Sequence, residues 1–311
     1  MLNLLQKTLQ KNQALFIADP LQIQKLTGFQ ASFCVLLITK SEYLLFTDAR
    51  YAHLKKEFPL IIIKKLSTKL LHILKDKQIS TLLLDYQQVK IPFFLKIQKK
   101  INCKNFKQLQ KNILLSKNQK DIANMQTAIQ ITEQTLAWCL PKLSPAMKEV
   151  EFQRVLKIKA LELGASDFAF QPIVAFGKNS ANIHHLSGKT VLGNKPLMLI
   201  DLGFKYANMC SDMTRTYILN KSASQIIDTY KIVKKAKIAS EKLYQAGESI
   251  AQTSEIANQV FKKANLSELP HSLGHGIGTQ VHEAPGINHK NQDQFQANTC
   301  ITCEPGVYIE N

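Results

Sequence analysis

The sequence predicts a protein of mixed α+β class in two domains, an N-terminal α/β domain with a mixed sheet and a C-terminal domain opening on long helices. Three observations predict it. A chain of 311 residues is long enough for two cores of ordinary size. Strand-length apolar runs alternate with short amphipathic stretches through the first hundred residues. Beyond residue 118 long helical periods come first and strands follow.

In chain order, Ala14–Ala18, Phe33–Thr39, Tyr43–Thr47, Leu60–Lys64 and Thr81–Asp85 read as strands. Met1–Gln10, Leu21–Leu26, Tyr51–Phe58 and Thr68–Lys77 read as helices. Lys99–Asn118 is rich in Lys, Gln and Asn, and the domain boundary is expected there, near Ser116, giving domains 1–116 and 117–311. Ile122, Met125, Ile129, Thr132 and Leu136 keep helical spacing within Asn118–Cys139. Ser144-Pro145 reads as the start of a helix, with Glu149 and Glu151 near its N-terminus, running through Glu162 to Gly164. Ile173–Phe176, Leu197–Leu202 and Asn208–Ile218 read as strands, with a turn at Gly203–Asn208. Helices are expected at about Ser222–Gln245 and Ile250–Asn265, and strands at Gly276–Val281 and Thr299–Ile309.

Composition narrows the function classes. Hydrophobic content of 45% and charged content of 20% describe a soluble globular chain. No apolar run reaches membrane-spanning length, and MLNLLQKTLQKNQ reads as an amphipathic helix without a signal-peptide core; the cytoplasm is the expected location. The net charge of +17 raises nucleic acid as a partner. Yet 37 of the 40 basic residues are lysines, scattered over helix faces without an arginine patch or aromatic platform. A solvated lysine-rich surface is expected, with no specific nucleic acid and no membrane as partner. A basic scaffold is the competing reading from a different class. The six cysteines (34, 103, 139, 210, 300 and 303) have no framework spacing and read as reduced thiols.

Four residues carry the chemistry: Asp201, Asp212, His275 and Glu304. Three carboxylates and one imidazole suit a hard or borderline divalent ion. Asp201 ends the apolar run Pro196–Ile200, where a carboxylate is costly unless paired or metal-bound. Asp212 follows eleven residues later, and two antiparallel strands can bring the two together. His275 stands between Gly274 and Gly276, which argues against a helical zinc pair with His271 and allows close backbone approach. Glu304 precedes Pro305-Gly306. Each residue alone reads as structural: an Asp after a strand is often a cap, and a single His is usually a satisfied or surface group.

The segments AFQPIVAFGKNSANIHH, DLGFKYANMCSDMTRTY, HSLGHGIGTQVHEAP and TCEPGVYI, with LTGFQASFCVLL, TDARY and LSKNQKDIANMQTA before them, resemble the pita-bread metallopeptidases. The resemblance is to their Xaa-Pro aminopeptidase and Xaa-Pro dipeptidase (prolidase) branch, and it runs in order along roughly the whole chain. It implies a creatinase-like N-terminal domain followed by a pita-bread catalytic domain. It also implies two divalent ions (manganese, cobalt or zinc), a peptide substrate with proline in second position, and a homodimer. By the resemblance, Asp201 would hold the first ion, Asp212 would bridge both, and His275 and Glu304 would hold the second. A hydroxide shared by the ions would attack, with Glu304 as general base. His184 would meet the substrate backbone and the developing oxyanion, and His282 the scissile carbonyl or proline side. His271 would lie behind the ligands, Thr214 behind Asp212, and Arg215 would be structural. An X-Pro bond is a tertiary amide without an N–H, which suits a site that polarises the carbonyl directly.

The family pattern continues to a further bridging glutamate in a run like RIED, and here the sequence ends at Asn311. Glu310 lies six residues after Glu304, roughly 20 Å away in an extended strand. A catalytic domain lacking its C-terminal strands is therefore expected. Three readings stay open: a truncated peptidase, a natural short form of low activity, or a non-catalytic peptide-binding relative.

Overall fold

The structure is a computed structural model and describes residues 2–63, 66–106, 115–219 and 223–309. The expectations that reach Met1, Lys64, Ser222 and Glu310 lie outside the described residues at those positions. The chain divides into two compact units, Met1–Leu114 and Leu115–Asn311.

The first unit is built on six strands: β1 (Gln13–Ile17), β2 (Cys34–Ile38), β3 (Tyr43–Thr47), β4 (Leu60–Ile62), β5 (Thr81–Leu84) and β6 (Asn102–Asn105), in the order β4-β3-β2-β1-β5-β6. The β1–β2 and β2–β3 pairs are antiparallel; β3–β4, β1–β5 and β5–β6 are parallel. Both faces are covered, which is why the strands read as continuous apolar runs. Leu15, Ile17, Leu36 and Ile38 face one core with α1 (Leu2–Thr8) and α2 (Pro20–Thr27). Ala14, Phe16, Val35 and Leu37 face the other with α3 (Leu66–Asp76) and α4 (Ile91–Ile97). The period of two separates the cores residue by residue. Helix α2 is bounded as its sequence dictates: the Asp19 carboxylate accepts from Leu21 N at 2.9 Å, and Pro20 occupies the first turn.

The second unit opens with α5 (Gln119–Cys139), whose start is a reciprocal cap. Asp121 N donates to Asn118 Oδ1 at 2.9 Å, and Asn118 N to Asp121 Oδ2 at 3.1 Å. Helix α6 (Glu149–Glu162) follows, then β7 (Asp167–Phe168), β8 (Ile173–Phe176), β9 (Leu197–Leu202), β10 (Phe204–Tyr206), β11 (Met209–Cys210) and β12 (Met213–Ile218). Strands β12-β9-β8 form one antiparallel sheet and β11-β10-β7 another. Helices α7 (Ser224–Glu241) and α8 (Ile250–Lys263) precede the hairpin-like pair β13 (Gly274–Gly276) and β14 (Glu283–Ile287). Phe152, Leu156, Val174, Phe176, Met198, Ile200 and Leu202 pack into one core; Ala236, Ile250, Phe261, Leu273 and Ile287 belong to another. Among the described residues no helix is long and apolar enough to cross a membrane.

Several elements differ from expectation. Residues 144–148 form a turn instead of opening α6: Met147 N donates to Ser144 O at 3.0 Å and Lys148 bridges Val191, so the helix starts at Glu149. Tyr51–Phe58 is a 3-10 segment over Ala49–Lys56, capped by Asp48, whose Oδ1 accepts from Arg50 N at 3.1 Å. Helix α4 and strand β6 lie in and beside the lysine-rich stretch where no element was expected. The Gly203–Asn208 turn contains β10, and Asn208–Ile218 splits into β11 and β12 around Ser211 and Asp212. The strand expected at Gly276–Val281 is β13 displaced to Gly274–Gly276, because Gly278 N turns back onto Gln280 O at 3.0 Å. Thr299–Ile309 is not a regular strand: single bridges and bonds tie it to the β13 region, and Pro305 has no N–H to extend a ladder.

Candidate metal centre

Asp201 comes from β9. Along that strand Met198, Ile200 and Leu202 are buried in the core while Leu197, Leu199 and Asp201 look to the opposite face. Asp201 pairs across the sheet with Thr214 of β12, and the Thr214 hydroxyl donates to its Oδ1 at 2.8 Å. Thr214 therefore supports Asp201, a correction to the sequence expectation that it stands behind Asp212. Asp212 enters on the short link between β11 and β12, two residues before the Thr214 that pairs with Asp201.

His275 is the middle residue of β13. Its Nδ1 lies 3.0 Å from Gly276 O, and its Nε2 lies 3.1 Å from Glu304 Oε1 and 3.4 Å from Asp212 Oδ2. Glu304 reaches it because the 302–304 segment lies against β13. Thr302 N donates to His275 O at 2.9 Å, and Glu304 N to Leu273 O at 2.8 Å. Gly274 permits that approach: a Cβ there would stand 2.1 Å from Thr302 O. The close approach that the flanking glycines allow is thus made by the chain's own backbone. The Thr302 hydroxyl accepts from His275 N at 3.0 Å and donates to Glu304 Oε1 at 3.0 Å, holding both side chains.

The electrostatics are those of crowded anions around one imidazole. Burial, then the neighbouring Asp212 and Glu304 charges, push Asp201 up to about 7. Burial opposes charge on His275 too, but hydrogen bonds to Asp212, Glu304 and Gly276 O overcome it and raise the ring to about 10. Burial likewise works against Glu304, and the His275 contact and the Thr302 hydroxyl hold it below the usual carboxylate range.

The donor set fits a divalent cation. Two donors bound to one ion at about 2.1 Å stand roughly 3.0–3.4 Å apart, and the His275–Glu304 and His275–Asp212 spacings match that. The Gly276 carbonyl beside Nδ1 selects the tautomer in which Nε2 can ligate. Among the described residues no group of three or more His, Cys, Asp or Glu side chains is already arranged to hold a metal ion. Here the Nε2 proton serves as the shared positive partner of the carboxylates.

The other expected residues divide. The His282 ring meets the His275 ring edge-on, with centroids 4.4 Å apart and planes at 75°. His271 Nε2 lies 2.9 Å from the Tyr308 hydroxyl, whose own titration is pushed up to about 12 by burial and by Glu304 and Asp201. Arg215 donates to Thr214 O at 2.9 Å. His184 is exposed on the loop after the 3-10 turn Gly177–Ala181, and the fixed histidine of that pair is His185, whose Nε2 lies 2.9 Å from Glu149 Oε2. Glu149, read from sequence as a helix-start charge, is fully buried. It also accepts from Phe176 N, Asn179 Nδ2 and Gly188 N at 2.9, 2.8 and 3.0 Å. Thr302 and Tyr308, which hold Glu304 and His271, and the buried Glu149–His185 pair were not singled out from the sequence; the local signal for Tyr308 was its place four residues after Glu304.

Residues 123–311 match the family model of metallopeptidase family M24, and residues 2–114 that of the creatinase/prolidase N-terminal domain. An uncharacterized peptidase of Staphylococcus epidermidis is 27% identical, covering 98% of this chain and 91% of its own length. The crystal structure of X-Pro aminopeptidase from Thermotoga maritima is similar at a TM-score of 0.87 and 27% identity, covering 98% of this chain and 91% of that one. The prolidase from Pyrococcus horikoshii has the same fold, with a TM-score of 0.88 at 24% identity over 99% of this chain and 90% of that chain.

Proposed function

The chain belongs to metallopeptidase family M24, alongside Xaa-Pro aminopeptidases and prolidases, and from that premise we propose that it hydrolyses X-Pro bonds at the N-terminus of peptides or in dipeptides. It is an enzyme of a family that works with divalent metal. The observation that carries the reading is the convergence of Asp212, His275 and Glu304, from three separate segments, beside an Asp201 that burial and like charge push up to about 7.

Asp201, Asp212, His275 and Glu304 would hold two divalent ions, with manganese, cobalt or zinc as candidates. When bound, such ions polarise the substrate carbonyl and make water a competent nucleophile near neutral pH. The rest falls to the protein. Glu304 would take the proton from the attacking water. His282, beside His275, donates to the scissile carbonyl or steadies the proline side, and His184 meets the substrate backbone. Thr214 and Thr302 keep Asp201 and Glu304 in orientation. His271 works from behind through Tyr308. None of these contacts asks for an N–H on the scissile nitrogen, which X-Pro bonds lack. Catalysis resides in the domain 117–311, the N-terminal domain being 1–116. The working form would be a homodimer in the cytoplasm; sedimentation of the purified chain at twice the monomer mass is the expected result, and a monomer would refute the dimer.

Cleavage of Ala-Pro and Ala-Pro-Ala with added manganese, cobalt or zinc tests the reading. Release of alanine that chelation abolishes is expected; no release with any of the three metals overturns it.

A further inference from the structure

Outside the ligand cluster stands an ion pair more deeply buried than the site itself. Lys117 Nζ lies 2.7 Å from Glu283 Oε2, and both side chains are 1% exposed. The second carboxylate oxygen accepts from the Thr279 hydroxyl at 2.9 Å and from Gln280 N at 3.0 Å. A buried ion pair is seldom more stabilising than apolar residues of the same volume, so its worth is to be sought in what it orients.

It orients the loop that leaves His275. Residues 276–283 are tied to both neighbouring ligand segments: Cys210 N donates to Gly278 O at 2.7 Å, two residues before Asp212, and Ile277 N to Cys300 O at 3.0 Å, four before Glu304. Lys117 is anchored beside them, its N donating to Asn298 O at 2.9 Å. The space is made by Gly278, where a Cβ would stand 2.6 Å from Lys117 Cε and 2.7 Å from Glu283 Oε2. Glu283 is the first residue of β14, and its predecessor is His282. His282 stands in the bend that leads into β14, so its direction depends on where that bend ends. Anchoring Glu283 inward fixes the end of that bend, and the exposed His282 ring beside it stands 4.4 Å from that of His275.

We propose that Lys117 and Glu283 are positioning residues whose buried ion pair fixes the 279–283 turn and so holds the His282 imidazole against His275. The proposal rests on the reading of His282 as a catalytic partner.

Four variants of the full chain test it: Lys117→Met, Lys117→Met/Glu283→Gln, His282→Ala and Lys117→Met/His282→Ala. Each is assayed with manganese on Ala-Pro and Ala-Pro-Ala. Lys117→Met is expected to lower kcat by roughly tenfold or more with KM within about twofold, and to add nothing once His282 is gone. In the metal-free proteins the His282 ring resonances should move in Lys117→Met. Multiplying losses in the Lys117→Met/His282→Ala protein, or unmoved His282 resonances, would overturn the proposal. If Lys117→Met does not fold, Lys117→Met/Glu283→Gln replaces it, since it buries no unpaired charge. A lowered kcat there supports positioning and a wild-type kcat refutes it. Should the wild-type chain cleave neither peptide, the peptidase reading falls, and the resonance comparison alone decides the positioning role.

Discussion

Glu149 and Asp201 are both carboxylates withdrawn from water, and they are treated in opposite ways. Glu149 accepts from Phe176 N, Asn179, His185 and Gly188 N; although burial opposes its charge, those bonds hold it below the usual range. Asp201 has the Thr214 hydroxyl and faces Asp212 and Glu304, and it rises to about 7. A carboxylate whose lone pairs are all answered by the protein fastens a loop. One crowded by its own kind is poised for something from outside with positive charge.

The largest test of that contrast is Asp212→Asn. It should lower kcat/KM on Ala-Pro-Ala by roughly a thousandfold or more, abolish tight manganese binding in calorimetry, and change the thermal midpoint little, because it removes both a like charge beside Asp201 and an anionic partner of His275. An unaltered rate would break the comparison at its catalytic end. Glu149→Ala should do the reverse: a loss of about 3–5 kcal/mol in denaturant unfolding, with metal stoichiometry intact in the protein that remains folded. Acid should act through the same residue. Its folded pKa lies below the unfolded value, so its contribution is full above the unfolded pKa of about 4.3 and is lost as pH falls through the folded value. Equal acid sensitivity of wild type and Glu149→Gln would contradict this.

Metal affinity should carry the same sign over a higher pH range. Asp201 and His275 must give up protons to become ligands, and they titrate at about 7 and about 10. Manganese affinity is expected to rise by about tenfold per pH unit between about 7 and 10, and more steeply below 7. Calorimetry in buffers of different ionisation enthalpy reads the released protons directly. Gly274→Ala forces a Cβ to within 2.1 Å of Thr302 O. It should cost about 1–3 kcal/mol and weaken metal binding by displacing Glu304. Smallest of all, replacing Lys231, Lys234 and Lys235 on α7 by alanine should leave peptidase activity unchanged. A loss of function there, with Asp212→Asn silent, would favour the basic-scaffold reading.

What the sequence disclosed follows from how local each signal is. Tyr43–Thr47, Ile173–Phe176 and Leu197–Leu202 stand where apolar patterning puts them, because burial acts on each residue through its own side chain. The donor types at 201, 212, 275 and 304 were readable because an oxygen-rich set with one imidazole has few other uses, and resemblance joined them. The ties behind them were hidden. Lys117 meets Glu283 across 166 residues, and His185 meets Glu149 across 36. No spacing rule foretells such contacts. Thr299–Ile309 misled for a related reason: its alternation is that of a strand, but its bonds go singly to β13, and Pro305 interrupts it. Helix α4 was lost because no capping side chain marks its start at Lys90 and its residues Ile91–Ile97 are mostly apolar without a polar face to show a period.

Strand β9 has one further consequence. Met198, Ile200 and Leu202 belong to the core, and Asp201 with its neighbour Thr214 belongs to the opposite face. Chemistry and stability therefore occupy alternate letters of the same short word. A lineage could rewrite the odd-numbered letters, exchanging one metal preference or substrate for another, while the even-numbered ones kept the strand folded.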